Sequence, residues 1–459
     1  MSTVAIVGAG MAGLATAYEL HQRGVPFVVF EGGSRAGGVV FSEQVDGYTI
    51  DGGPDALLVS KPDAIKLCQE LGLGNRLIAT KPPRLAYIQR DGRLHPLPAA
   101  SVLGIPTEIG SFVSTRLFTW AGKLRMGAEL FVPPRRDDLD ESIGAFMTRR
   151  FGSEATTYLA EPLLAGIHAG DVDKLSVRAL FPRLVEAEQR HGSLIRAFRM
   201  QRRAPPSSNS NGAFRSLPDG LSELVRALVR SLPADAIRLR TPVTEISATG
   251  RGMRLETSLG VALTARAVVL ATPAYTTAAI VRPLDSGLAR LCDEVPYAST
   301  ATVALAFSRQ AVQHPLNGSG FVVPKVERTG ILAASWLSSK WPHRAPEGRV
   351  LLRAFVGGAR DPHALEQSDA ELIAASLGAL CPLLGIAGEP LLARVYRWQR
   401  ASAQHEVGHL DRLAAIERAL TAHSGLFITG SGFRGAGIPD CVADGRATGQ
   451  QVAAWLARA

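Results

Sequence analysis

The sequence predicts an α/β protein, α+β when every element is counted, whose main sheet is gathered from both ends of the chain. Three observations predict it. An apolar strand, Val4 to Val7, runs straight into Gly8-x-Gly10-x-x-Gly13 and a helix. A second series of strand, glycine-rich loop and helix closes the chain, from Leu426 through Gly430 and Gly437 to Ala457. Between them, β-branched runs alternate with helical periodicity, the pattern of strands covered by helices.

Strand-like runs are Ile237 to Ile246, Val268 to Ala271, Thr302 to Phe307, Val350 to Val356 and Leu426 to Thr429. Each is bounded by Gly, Pro or polar residues. Helical periodicity is clearest over Ala12 to Gln22, Leu221 to Ser231, Asp369 to Leu380, Arg412 to His423 and Val442 to Ala457. A strand at Leu85 to Gln89 meets a turn at Asp91-Gly92, and Arg202 to Gly212 (RRAPPSSNSNG) reads as a linker. Ser101 to Leu130 is rich in Phe, Leu and Trp and mostly helical in pattern after Glu108. The expected division is 1–60, 212–285 and 400–459 for a dinucleotide-binding domain, 61–90 and 286–399 for a mixed-sheet substrate domain, and 91–211 for a helical insertion.

With 459 residues, 46% hydrophobic and 20% charged, the chain is an ordinary globular protein long enough for two or three domains. Its net charge of +9 suits acidic substrates or an anionic membrane surface. No basic run with interleaved aromatics points to nucleic acid. The four cysteines are scattered without a CxxC pair, which argues against a redox dithiol or zinc and fits a reducing compartment. No signal peptide or transmembrane run is expected. The expected location is the cytoplasm, with peripheral contact at the inner face of the cell membrane through Ser101 to Leu130. His405 and His409, four apart, read as core or solvated histidines, and no metal is expected.

The opening motif has a physical reason at each position. Gly8 permits the tight turn, Gly10 lets backbone approach a pyrophosphate, and Gly13 lets helix and strand pack closely. Met11 and Ala12 begin the helix, whose free N–H groups and positive end suit phosphates. Glu31, at the end of the second strand Pro26 to Phe30, stands where a carboxylate accepts ribose hydroxyls. The same carboxylate would repel a 2′-phosphate, so NADP is disfavoured. This is a Rossmann-like fingerprint with strand, helix, spacing and acid all present.

FAD is preferred to NAD because Gly32-Gly33-Ser34-Arg35-Ala36-Gly37-Gly38 follows the acid. This Arg-x-Gly-Gly resembles the flavoprotein monooxidase and amine-oxidase superfamily, of the glutathione-reductase type of FAD-binding fold. Arg35 is expected to bring charge to the diphosphate. The resemblance implies that Gly53, Pro54 and Asp55 lie near the flavin, that Val243 meets the adenine, and that Ala271 and Trp398 also contact the cofactor. It also brings Gly430, Gly437, Ile438 and Pro439 to the isoalloxazine, where the last helix would stabilise negative charge on reduced flavin. Gly445 and Gly449 should let that helix pack closely.

Ala165-Gly166-Ile167-His168-Ala169-Gly170-Asp171, followed by Leu175-Ser176 and Phe181-Pro182, narrows the match. With Phe355-Val356-Gly357-Gly358 and GSGFRGAGIPDCV, it resembles the protoporphyrinogen oxidase and coproporphyrinogen III oxidase family from residue 3 to residue 457. The resemblance implies oxygen-dependent oxidation of protoporphyrinogen IX in haem biosynthesis, removing six electrons through FAD with release of hydrogen peroxide. The alternative is coproporphyrinogen III, or the chemistry of another flavin amine oxidase or desaturase. An escort protein that keeps this fold without redox activity is disfavoured by the complete flavin-binding set. The implied substrate wall is Ala169, Gly170, Trp336 and Phe355, with Arg84 meeting a propionate. His168 stands where an aromatic is commoner, and Trp336 where many members have leucine or isoleucine. Implied partners are a porphyrinogen, dioxygen, a ferrochelatase at handover and a second copy in a homodimer. No residue is expected to be catalytic, because the pyrrole nitrogen and the flavin suffice.

Overall fold

The computed structural model describes residues 4–97, 101–102, 105–106, 113–203, 212–250 and 252–458. The expected linker at Arg202 to Gly212 falls mostly outside them, as does much of 101–112.

A five-stranded parallel sheet has the spatial order Ile237–Arg238, Phe27–Phe30, Val4–Val7, Ala267–Leu270, Leu426–Ile428. Alternate residues of each strand feed two cores. Val4, Ile6, Val29 and Val269 pack on one face with Leu14, Leu224 and Val442. Ala5, Val7, Phe30 and Leu270 pack on the other with Val243, Ile280 and Ile416. Helices therefore cover both faces, as a parallel sheet requires. The helix Asp63–Glu70 also buries Leu67 and Cys68 in the first of these cores, so this part of 61–90 shares the dinucleotide unit.

One expected strand proves to be two. The run Ile237 to Ile246 breaks at Arg240, which takes a left-handed φ of 52°. Its first part is the edge of the parallel sheet. Its second, Val243–Thr249, joins an antiparallel sheet with Gly252–Thr257 and Ala262–Ala265. Pro242 at the break has no N–H to continue a ladder.

A seven-stranded sheet runs Leu392–Ala403, Tyr297–Ser308, Arg349–Gly357, Ala333–Trp336, Gly320–Val322, Tyr87–Arg90, Arg93–Pro96. Asp91 and Gly92 both have positive φ (52° and 67°), closing the last hairpin with the expected two-residue turn. One face of the sheet buries Val303, Leu305, Leu352 and Ala354 against Leu372 and Leu380 of the helix Asp369–Leu384. The opposite face, carrying Arg353 and Phe355, looks toward the strand Tyr48–Asp51.

The insertion is helical, with Ile143–Phe151 and a π-helix, Thr156–Ala165, packed round Phe146, Leu159 and Leu184. Within Ser101 to Leu130 the described residues give short paired strands at Ser101–Val102 and Ile105–Pro106 and a helix at Trp120–Gly127.

Candidate functional site

The first and last helices meet. A Cβ built on Gly445 would lie 2.3 Å from the Ala12 carbonyl, and one on Gly449 would lie 2.9 Å from Glu19 Cβ. The Thr16 hydroxyl bonds the Gly445 carbonyl at 2.9 Å. The two small residues thus let helices from opposite ends of the chain touch along their backbones.

The opening turn is shaped by close packing. Gly8 has φ 103°, and a Cβ on Gly13 would sit 1.9 Å from the Gly8 carbonyl. Gly10 differs: a Cβ there meets nothing within 4 Å. The helix Met11–Gln22 begins at Gly10 with no side-chain cap. An open glycine beside uncapped N–H groups fits a diphosphate. Gly38 faces Gly10, with its built Cβ 3.4 Å from the Gly10 Cα, and Gly37 N–H donates to the Ala9 carbonyl. Glu31 accepts from the Ala9 and Gly33 N–H groups at 2.8 and 2.7 Å. Beside it Gly32 abuts Pro242, which leads into buried Val243, and Ala271 N–H pairs with Val7.

Two of the expected site residues are bonded within the protein. The Arg35 guanidinium donates to the carbonyls of Ala36, Gly38 and Val40 and covers the Phe41 ring, so it shapes its own loop. Asp55 is engaged by protein side chains on both carboxylate oxygens. Its oxygens accept from Lys340 (2.7 Å), the Trp341 indole (2.8 Å) and Arg353 (2.8 Å). Burial would raise its pKa, but Lys340 and Arg353 outweigh that and hold the carboxyl well below the usual carboxylate range.

The turn before it is gripped by its carbonyls. Arg353 donates to Asp51 and Gly53, while Thr302 and the Trp398 indole both donate to Gly52, at 2.7 and 2.8 Å. Trp398 thus holds the backbone just before the Gly53-Pro54 turn. Arg353 is 1% exposed, and no motif in the sequence marked it. An arginine inside an apolar strand was the one available signal, since a buried guanidinium needs partners.

At the closing end Gly430 has φ 110° and donates to Asp444, which also accepts from Thr429. Gly437 leads into the helix Ile438–Leu456, with Pro439 in its first turn and Ile438 buried. Asp440 there pairs with Lys61 at 2.7 Å.

The expected substrate residues separate. Ala169 is buried with φ 51°, and its carbonyl accepts from Ala359. A Cβ on Gly358 would lie 2.6 Å from that carbonyl, and one on Gly170 would lie 2.4 Å from Gln404 Oε1. The Ala169-Gly170 turn is thus docked on the end of the strand that carries half-buried Phe355. Trp336 is not part of this wall. It pairs across from Leu352 whereas Phe355 pairs with Ala333, so it lies on the other face, fully buried against Tyr87, His314 and Phe321. Its aromatic size fills that core. Arg84 is exposed, following the cis Pro82–Pro83 bond, and its Nε donates to Thr80. Burial, helped by Lys61, pushes the His168 imidazole down to about 4 against the pull of Asp440. His405 and His409 are core residues, each 2% exposed.

A dinucleotide cradle closed by both chain ends, with a sheet wall facing it, defines the class: this is an FAD-dependent oxidoreductase. The chain belongs to the flavin containing amine oxidoreductase family, whose description matches residues 11–453. It is 37% identical to a coproporphyrinogen III oxidase of Bacillus subtilis (strain 168), over 99% of this chain and 98% of that protein. It is 29% identical to the chloroplastic protoporphyrinogen oxidase of Nicotiana tabacum, over 99% and 86%. A solved structure from Exiguobacterium sp. 255-15, named after protoporphyrinogen oxidase, matches with 33% identity and a TM-score of 0.87 over 98% of both chains. Within the family, the chain groups with the porphyrinogen oxidases.

Proposed function

We propose that the protein oxidises a porphyrinogen to the porphyrin, with coproporphyrinogen III ahead of protoporphyrinogen IX. The observation that carries the reaction class is the docking of the Ala169-Gly170 turn on Gly358-Ala359, which sets a backbone wall beside Phe355 for a flat macrocycle. The order of substrates rests on relatives: three named coproporphyrinogen III oxidase are 32–37% identical over nearly the whole chain, against 28–29% for two named protoporphyrinogen oxidase. The two substrates differ by two carboxylates, and a few rim charges suffice to separate them. Arg84 is the proposed partner of one propionate.

Bound FAD supplies a two-electron acceptor that dioxygen regenerates. Over the three rounds, three hydrides leave bridging methylenes, two protons leave pyrrole N–H groups, and a third proton leaves the fourth methylene by imine–enamine tautomerism. Three rounds remove six electrons, consume three dioxygen and release three hydrogen peroxide. This chain's residues orient and enclose the ring. Gly8, Gly10, Gly13 and Glu31 hold the adenosine diphosphate end, the turn fixed by Arg353, Thr302 and Trp398 stands by the flavin, and Ala169, Gly170 and Phe355 face the macrocycle. Parallel assays with both porphyrinogens, following porphyrin fluorescence and peroxide, test this. Faster turnover of coproporphyrinogen III is expected, and negligible turnover of both overturns the proposal.

We further propose peripheral membrane contact through the helix Trp120–Gly127 and its continuation. Among the described residues, no helix is long and apolar enough to cross a membrane. Trp120, Leu124 and Phe131 are 66%, 75% and 85% exposed, with Lys123 over the Trp120 ring. Trp120 and Leu124 share a helix face one turn apart, an arrangement suited to lying in a lipid interface. Leu117 is fully buried in the insertion's core and takes no part. A Trp120→Asp, Leu124→Asp variant should leave anionic vesicles that the wild type sediments with. Equal sedimentation would reject the contact.

A further inference from the structure

The segment Ser402 to His409 grips both sides of the site. The Ser402 hydroxyl and the Gln404 amide donate to the His168 carbonyl, at 2.9 and 3.0 Å, just before the Ala169-Gly170 turn. The next residues reach the other way. His405 Nε2 lies 2.9 Å from the Ser431 carbonyl, and His409 Nε2 lies 2.9 Å from the Phe433 carbonyl. Both carbonyls belong to the glycine-rich loop that leads into the last helix. The backbone of the segment is pinned as well: Ser176 N–H donates to the His405 carbonyl, and Val407 N–H donates to Lys174.

A carbonyl only accepts, so each Nε2 must carry the hydrogen. The two rings stack with centroids 3.9 Å apart and planes 10° from parallel. Among the described residues, His409 Nδ1 is buried without a partner, so no acceptor there stands ready for a second proton. Two imidazolium rings face to face at this distance would repel strongly. The pair is built to work neutral.

We infer that His405 and His409 are positioning residues for FAD: as neutral donors, they fix the carbonyls of Ser431 and Phe433 and so hold the closing flavin loop against the segment that also anchors the substrate turn. The inference rests on FAD binding and is independent of which porphyrinogen is oxidised. It can therefore fail or stand separately from the substrate assignment.

Charge near the pair is specific. His168 and Asp440 face His405; His405 itself, Arg412 and Asp140 face His409. Burial lowers the pKa of both rings, and His409 is held down to about 4, with His405 adding to the effect. Protonation would break the neutral stack and loosen the loop.

The test measures FAD release from holoenzyme by the rise in free-flavin fluorescence, together with the melting temperature. His405→Leu and His409→Leu remove a donor each, and FAD release should quicken about tenfold per substitution, the effect of one lost hydrogen bond to a buried carbonyl. His405→Gln and His409→Gln keep an N–H donor without a titrating ring, and should stay within about threefold of wild type. Lowering the pH toward about 4 should quicken release in wild type, and the acceleration should be at least about threefold smaller in His409→Gln, which cannot take the proton. A merely structural role predicts lower melting temperatures with FAD release unchanged, and that result overturns the inference. Should the Leu variants fail to fold, the Gln pH profile decides: an acceleration equal to wild type also overturns it.

Discussion

The two glycine-rich loops proposed to flank the flavin differ in what holds them. The opening turn is held mainly by contact, with Gly8 and Gly13 leaving no room for a Cβ, and by the carboxylate of Glu31, a side-chain type that is charged at ordinary pH, which takes the Ala9 N–H. The closing loop is held by side chains from elsewhere, with Asp444 taking the Gly430 N–H and His405 and His409 holding two carbonyls. Local steric fit needs only a short motif. The closing loop packs closely too, a Cβ on Gly432 falling 2.5 Å from the Tyr297 hydroxyl, but two of its carbonyls depend on histidines and become sensitive to their charge.

The largest effect that would sharpen this contrast is at Gly13. Gly13→Ala puts a methyl 1.9 Å from a backbone oxygen, which only a shift of the helix or turn can relieve. Purified protein should be colourless or unfolded, and a yellow variant with normal FAD content would break the steric account. An intermediate effect belongs to the closing side. Burial pushes His409 to about 4, below the ordinary histidine value, so the unfolded chain takes up its proton first as pH falls. This contribution to stability is complete above about pH 6.5 and fades toward about pH 4, at roughly 1.4 kcal/mol per pH unit. Denaturant titrations of wild type and His409→Gln should diverge across that window and agree at pH 8. Identical slopes would remove the charge sensitivity. The smallest effect on stability is expected at Gly10. Among the described residues beyond its chain neighbours, Gly10→Ala meets no atom within 4 Å, so unfolding of the FAD-free protein should change by less than about 0.5 kcal/mol, while FAD binds more weakly. Unchanged FAD affinity would show that the open space is not where the diphosphate lies.

Much of this was legible along the chain. The strands at Val4–Val7, Ala267–Leu270 and Leu426–Ile428, and the helices that follow two of them, stand where periodicity puts them. The glycines Gly445 and Gly449 pack as their spacing implied. Hydrogen-bond partners were what the sequence could not supply, whether near or far along the chain. Arg35 carries a charge suited to a diphosphate but is surrounded by its own loop's carbonyls. Asp55 sits beside the expected flavin turn but is claimed by Lys340, Trp341 and Arg353. Trp336 falls on the far face of its sheet because strand side chains alternate and the register was unknown.

The sequence by itself determined that a dinucleotide is bound, because turn geometry, helix start and ribose acid are all short-range requirements met within thirty-odd residues, and the family resemblance made it FAD. It also determined that the two chain ends belong to one sheet, through matching strand–glycine–helix series. Only the tertiary structure decided which buried charges serve as clamps and which face the site. That choice depends on what lies across a sheet or helix interface, and a buried arginine, aspartate or histidine is defined by its partner.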